Sequence, residues 1–364
     1  MKIAEIISYL ESVAHPSLQE NYDNAGLLTG DANTECSGII CCLDAIEKVI
    51  EEAIDKKCNL VVAHHPIIFG GLKKINGKNY VEKTIIRAIK NDIAIYAIHT
   101  NLDNFRNGVN ERMAQALGLK NLRMLAPKNA MLKKLYCFVP VDHAENLRNA
   151  IFEAGGGHIG QYSECSFSAE GNGTFKAGEN TKPFVGEKGE RHQEKEMKVE
   201  VIFPSFNESK IISAIKKAHP YEEVAYDIVA LDNNAEGWGA GMYGELATAM
   251  EPKAFMELLK KSFNVPVVRH TSIPGKKVQK VALCGGAGSF LISKALAIGM
   301  DAYVSADIKY HEFFDANDRL LICDIGHFES EQYTIDLLQE VLAQKFTTFA
   351  VLKTGVKTNP VHYF

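Results

Sequence analysis

Asn59-Leu60-Val61-Val62-Ala63-His64-His65-Pro66-Ile67-Ile68-Phe69-Gly70-Gly71 opens as a short apolar run rich in β-branched residues, which predicts a buried strand. Two imidazoles stand where that strand should end. Neighbouring side chains of a regular strand point to opposite faces, so adjacent histidines inside one would serve different faces. Pro66 cannot donate to a ladder and holds His65 in an extended or turning conformation. The backbone is therefore free to leave the sheet there and turn both rings toward one place. Taken alone, the pair reads equally as surface histidines at a turn, since most histidines are not ligands. The rest of the chain decides between them.

Outward from this stretch, strands and helices alternate. Apolar periodicity predicts an amphipathic helix over 1–14, a strand over 38–43 and a helix over 46–57. A helix over 80–91 and a strand over 93–98 follow, the strand leading into His99-Thr100-Asn101-Leu102-Asp103-Asn104, with a helix over 107–117. After Trp238 the same style returns: a helix over 252–262, then a strand over 278–284 running into Gly285-Gly286-Ala287-Gly288-Ser289 and a helix over 290–298. A strand over 301–305 ends at Ala306-Asp307-Ile308-Lys309-Tyr310-His311, and one over 320–324 precedes Gly326-His327-Phe328-Glu329-Ser330-Glu331 and a helix to about 344. Near-continuous apolar strands alternating with helices indicate an α/β unit with its sheet covered on both sides.

Between these halves the pattern is β-α-β-β-α-β: strand 135–139, helix 144–154, a strand or hairpin over 163–175, strand 197–203, helix 208–218 and strand 224–231. That order is ferredoxin-like. The Gly-, Lys- and Glu-rich stretch 176–196 reads as an exposed loop. The expected organisation is one α/β unit with mixed sheets from 1–128 and 237–364, interrupted by an α+β insert over 129–236.

With 364 residues, 46% hydrophobic and 23% charged, the composition is that of an ordinary globular protein of two or three domains. A net charge of -5 argues against a dedicated nucleic-acid binder. No apolar stretch approaches the ~20 residues that span a bilayer, and Met1-Lys2-Ile3-Ala4-Glu5 does not begin a signal-peptide run. The eight cysteines include no C-x-x-C pair, and Cys41, Cys42, Cys284 and Cys323 sit in apolar strand-like runs. This usage points to a reducing cytoplasm.

Ligand-type residues collect at strand ends: His64 and His65, His99 to Asp103, Asp307 to His311, and His327 with Glu331. In open α/β sheets, sites lie outside the carboxyl ends of strands. His327 and Glu331 are four apart at a helix start and share one face. His64, His65, Asp103, His327 and Glu331 together offer three imidazoles and two carboxylates, the complement for two borderline transition metals. Such a pair activates water and clamps an oxyanion or phosphate. His99 and His311 are candidate proton movers, with His99, Asn101 and Asn104 suited to orienting ligands; Asp307 and Lys309 are candidates for holding substrate. The glycine turn at 285–289 lacks both the P-loop lysine pattern and the dinucleotide fingerprint, and reads as a structural turn.

Glu20-Asn21-Tyr22-Asp23-Asn24-Ala25-Gly26-Leu27, Ala63-His64-His65-Pro66, His99-Thr100-Asn101-Leu102-Asp103, Cys284-Gly285-Gly286-Ala287-Gly288-Ser289, Asp307-Ile308-Lys309-Tyr310-His311 and Gly326-His327-Phe328-Glu329-Ser330-Glu331 occur in this order. Together they resemble the GTP cyclohydrolase I type 2 homologue family, whose yeast member was named as an NGG-interacting factor. The resemblance implies a dinuclear metal site in a ring-shaped homohexamer. His65 and Asp103 would ligate one ion, His64 and His327 the other, and Glu331 both. It also implies that the middle segment, through His219-Pro220-Tyr221-Glu222-Glu223, is similar to PII and CutA-like trimeric domains.

The expected function is a cytoplasmic hydrolase-like protein holding two divalent ions (iron, zinc, manganese or cobalt) that activate water; the name of the family it resembles implies GTP as substrate, with attack at C8 opening the purine ring. A metal-dependent phosphoesterase acting on nucleotides is one alternative. A non-enzymatic, metal- or metabolite-responsive hexameric scaffold is the other.

Overall fold

The computed structural model describes residues 1–235, 237–273 and 275–364. They pack as two compact units, Lys128–Ala235 and the described residues on either side of it.

The larger unit begins with α1 (Ile3–Val13), β1 (Gly26–Thr29), β2 (Gly38–Asp44), α2 (Glu47–Asp55), β3 (Leu60–His65), α3 (Tyr80–Lys90), β4 (Ala94–Ala97), the short α4 (Thr100–Asp103), α5 (Val109–Ala116) and β5 (Lys120–Pro127). The smaller unit contributes β6 (Leu132–Pro140), α6 (Ala144–Glu153), β7 (Phe167–Lys176), β8 (Arg191–Pro204), α7 (Glu208–Ala218) and β9 (Tyr226–Leu231). The larger unit resumes with β10 (Gly239–Met250), α8 (Pro252–Phe263), β11 (Arg269–His270), β12 (Val278–Ala287), α9 (Ile292–Ala297), β13 (Ala302–Ala306), β14 (Leu321–Asp324), α10 (His327–Glu331), α11 (Thr334–Lys345) and β15 (Ala350–Lys353).

The larger unit holds two sheets. One has the order β1-β4-β3-β2-β15, with β15, β2, β3 and β4 parallel and β1 antiparallel at the edge. The other has the order β11-β14-β13-β12-β10-β5, with β12, β13 and β14 parallel. Each is a mixed sheet, as expected from the sequence.

Alternation along β2 shows why its run is wholly apolar. Ile39 and Cys41 face α1 and α11, packing with Ile3, Ile6, Leu10 and Leu338. Ile40 and Cys42 face α2 and α3, packing with Val49, Ile50, Ile85 and Ala88. Both faces are dry, and each fully buried aliphatic side chain contributes about 1.5–3 kcal/mol. The second sheet is built alike: Val281 and Leu283 meet Phe255, Leu259 and Phe263, while Ala282 and Cys284 meet Leu291, Ile292 and Ala295.

In the smaller unit the strand order is β7-β8-β6-β9, every neighbour antiparallel. Leu147 and Ile151 of α6, with Ile211 and Ile215 of α7, bury against Leu135, Cys137, Val199 and Val201 on one face.

The loop expected over 176–196 is shorter in the structure. Residues 191–196 form the first half of β8 and pair with the end of β7. Their alternation is real, but every side chain is polar, so no apolar signal marks it. His192 packs on the Phe175 ring and Glu196 accepts from the Tyr221 hydroxyl.

All eight cysteines are free thiols. Among the described residues, no helix is long and apolar enough to cross a membrane.

Candidate metal centre

The parallel strands of both sheets deliver their carboxyl ends to one cleft. From the first sheet come Asp44 at the end of β2, His64 and His65 at the end of β3, and His99 then Asp103 beyond β4. From the second come Gly285 to Ala287 at the end of β12, Asp307 just past β13, and Asp324 at the end of β14. His327 and Glu331 are the first and last residues of α10, one turn apart on one face.

The carboxylate of Glu331 sits at the middle of this convergence, 3% exposed. Its Oε2 lies 2.9 Å from His65 Nε2, 3.2 Å from His327 Nε2 and 3.9 Å from His64 Nε2. His64 Nε2 in turn faces Asp103 Oδ1 at 3.5 Å. Neither of those two buried atoms has a hydrogen-bond partner. An unsatisfied buried polar atom costs about 1–3 kcal/mol, and a cation between two lone-pair donors removes both penalties. Imidazole and carboxylate are the donor types that divalent transition metals take. The residues therefore fit a metal ion.

All five residues expected as ligands come together here, but the distances group them differently from the division that the resemblance implies. His64, Asp103 and Glu331 form one set within ligand reach and His65, His327 and Glu331 a second, while His64, His65 and His99 form a third without a carboxylate. The reason is alternation over the last two residues of β3. His64, fully buried, turns toward α4, whereas His65 keeps its strand register opposite Asp44 and reaches α10.

Each ring is aimed by what its Nδ1 touches. The Nδ1–H of His64 donates to the Ile98 carbonyl at 2.9 Å, that of His65 to Asp44 at 2.8 Å, and that of His327 to Asp307 at 2.7 Å. Fixing Nδ1 as donor leaves Nε2 as the ligating atom. Asp307, expected to hold substrate, lines the cleft and orients His327, from a left-handed backbone position at φ 53°. Asp44 ends a strand too, but no motif in the sequence marks it.

Charge follows burial and neighbours. Burial pushes the His64 imidazole down to about 3 despite the nearby Glu331 carboxylate. Burial acts the same way on His65 and His327, but Glu331 together with Asp44 for the one and Asp307 for the other outweighs it, and they rise to about 10 and about 11. Burial, then repulsion from Glu331, holds the Asp103 carboxyl well above the usual range. Glu331 stays ionised against its burial because His327 and His65 flank it.

His99 stands beside the cluster, its ring 5.3 Å from that of His64 and 5.4 Å from that of His65. Its Nδ1–H donates to Asp23 at 2.8 Å. Although burial alone would raise it, the Asp23 carboxyl is held down to about 2 by bonds from His99 and Thr100. Asn101 and Asn104 instead fasten the chain, donating to the Ala14 and Leu18 carbonyls. His65, His99, Asp103, His327 and Glu331 line a cleft of about 890 Å³ that also carries Tyr22, Phe69, Phe290 and Arg269, with His64 buried behind it. Lys309 and His311 are exposed, and neither is among the residues that line it. Arg269, which no motif marked, is a further cation on its wall, fixed by Asp324 at 2.9 Å.

The glycine turn serves the centre by being small. Its three glycine amides are already used: Gly285 donates to Asn110, Gly286 to Ser330 and Gly288 to Ser305. A Cβ on Gly286 would lie 2.4 Å from Glu331 Oε1 and 3.3 Å from His327 Nε2, at φ +61°. Gly286→Ala is expected to displace Glu331 and lower bound metal by about tenfold or more, the scale of a lost supporting contact. Elemental analysis beside a thermal melt checks this; a folded variant with full metal content would contradict it.

The family model for Duf34/NIF3 (NGG1p interacting factor 3) matches residues 1–360. A Halalkalibacterium halodurans protein called GTP cyclohydrolase 1 type 2 homolog is 40% identical over 368 residues, covering 99% of each chain. A Bacillus subtilis protein of the same name is 39% identical, covering 94% of this chain and 91% of its own. Among solved structures, a Bacillus cereus protein related to NIF3 superposes with a TM-score of 0.88 at 40% identity, over 100% of this chain and 99% of its own.

Proposed function

The chain belongs to the Duf34/NIF3 family, and on that premise we propose that its cleft holds two divalent metal ions sharing Glu331 and hydrolyses a nucleotide. The observation that carries this is the pair of buried, partnerless atoms, His64 Nε2 and Asp103 Oδ1, set on the same carboxylate as His65 and His327. His64 with Asp103 would hold one ion and His65 with His327 the other. When bound, such ions supply Lewis acidity and make water nucleophilic at neutral pH.

The chain's own groups do the rest. Asp44, Asp307 and the Ile98 carbonyl hold the three imidazoles in their ligating tautomer. His99, tethered by Asp23, has its other ring nitrogen left to give or take a proton. The exposed rings of Tyr22 and Phe69, 6.4 Å apart, suit a flat base, and Arg269 suits a phosphate. A cleft of this size accommodates a nucleotide. The name borne by the relatives supports GTP. Hydrolytic attack at C8 then opens the five-membered ring, and hydrolysis of the resulting formamide releases formate. A cytoplasmic, ring-shaped homohexamer remains the proposed setting, with the ferredoxin-like insert as a PII/CutA-like module.

The test is product analysis with GTP, using protein loaded with zinc, manganese, iron or cobalt and protein stripped of metal. Formate is expected from loaded protein only. Equal turnover by stripped protein overturns the reading. Phosphate without formate replaces it with the phosphoesterase, and tight metal binding with no turnover on any nucleotide replaces it with the scaffold.

A further inference from the structure

After β15 the chain runs from 354 to 364 without helix or strand, yet it is tied down along its length. Thr354 N donates to the Cys41 carbonyl at 2.9 Å, and Gly355 N to Glu52 at 2.9 Å. Asn359 Nδ2 donates to Glu329 at 2.8 Å, and Val361 N to the Asn359 side chain at 3.0 Å. Asn359, Pro360, Val361 and Tyr363 line the metal cleft. Between these anchors lies Thr358, 8% exposed, whose hydroxyl donates to Asp44 Oδ2 at 2.6 Å.

Asp44 is the residue that aims His65. Its Oδ1 takes the His65 Nδ1–H and its Oδ2 takes Thr358, so two bonds at two oxygens fix the carboxylate plane. The Nδ1 bonds of the other imidazoles do not involve this strap: His64 donates to the Ile98 carbonyl and His327 to Asp307. Asp44 is one-third exposed, so without Thr358 water competes for the free oxygen and the carboxylate can rotate off the ring.

We propose that Thr358 is a positioning residue for the His65 half of the centre, through which seating of the strap 354–364 sets affinity for one ion and not the other. The proposal rests on the dinuclear reading above. A partner that orients a ligating histidine typically contributes 10–100-fold to metal affinity.

The experiment compares wild type, Thr358→Val, Thr358→Ser and His65→Ala in the full chain. Zinc titration measures the two affinities, and imidazole 15N resonances of the metal-free protein follow His65. Thr358→Val, which keeps shape and loses the hydroxyl, is expected to weaken by about tenfold the ion that His65→Ala loses. The other ion should hold within about twofold, the His65 resonance should move, and Thr358→Ser should restore both. Equal weakening of both ions, or of neither, with an unmoved His65 resonance overturns the proposal and makes Thr358 a simple anchor. If wild type binds no zinc while Thr358→Val still moves His65 and Thr358→Ser restores it, the metal reading falls and the positioning role stands.

Discussion

Replacing Glu331 by alanine is expected to strip metal from both halves of the centre, whereas His64→Ala and His327→Ala each empty one half. Glu331 is the only residue common to the His64–Asp103 and His65–His327 sets. It also sits against two imidazoles that repel each other when charged, with their Nε2 atoms 3.3 Å apart. Losing a ligand should exceed the 10–100-fold seen for an outer partner, so affinity at both ions should fall by more than about 100-fold. The pairing matters as much as the magnitude. Asp103→Ala should share its lost ion with His64→Ala, and His327→Ala should share its with His65→Ala. Metal stoichiometry of the five variants reads this out; His65→Ala sharing its lost ion with Asp103→Ala would restore the other division.

A second large effect is proton release. A histidine ligates only as the neutral ring, and His65 and His327 sit at about 10 and about 11 without metal. At pH 7 both must therefore lose a proton when the ion between them binds. Affinity there should rise by up to about 100-fold per pH unit below pH 10 and flatten above pH 11. The other half behaves differently. His64, down at about 3, is already neutral, so only Asp103, held up by burial and Glu331, has a proton to give. Titration calorimetry in two buffers of unlike ionisation enthalpy counts the protons. A steep and a shallow pH dependence are expected, and two pH-independent affinities would contradict the assignment.

The candidate metal centre is more legible in the sequence than the sheets that hold it. His64, His65, Asp103, His327 and Glu331 follow apolar strands whose ends can be read locally, and α/β geometry sends such ends to one place. What could not be read was contact between segments far apart. The partners that sort the ligands are a backbone carbonyl at Ile98 and carboxylates at Asp44 and Asp307, and a carbonyl has no sequence signature at all. Thr358 lies 314 residues from the Asp44 it fixes. The second sheet was incomplete for a related reason. In β10, Gly239, Gly241 and Gly244 interrupt the apolar pattern because neighbouring backbone and Leu side chains approach there, and its partner β5 mixes Lys and Arg with Leu and Met. Such strands are made by pairing, not by local preference. The polar ribbon at 191–196 was missed on the same account.

The most direct measurement is an anomalous difference map from crystals of the metal-loaded protein. Two peaks about 3.5–4 Å apart are expected astride the Glu331 carboxylate, one against His64 Nε2 and Asp103, the other against His65 and His327 Nε2. Absence of metal from this cluster, or a single peak that leaves His64 Nε2 and Asp103 facing each other, would contradict the account.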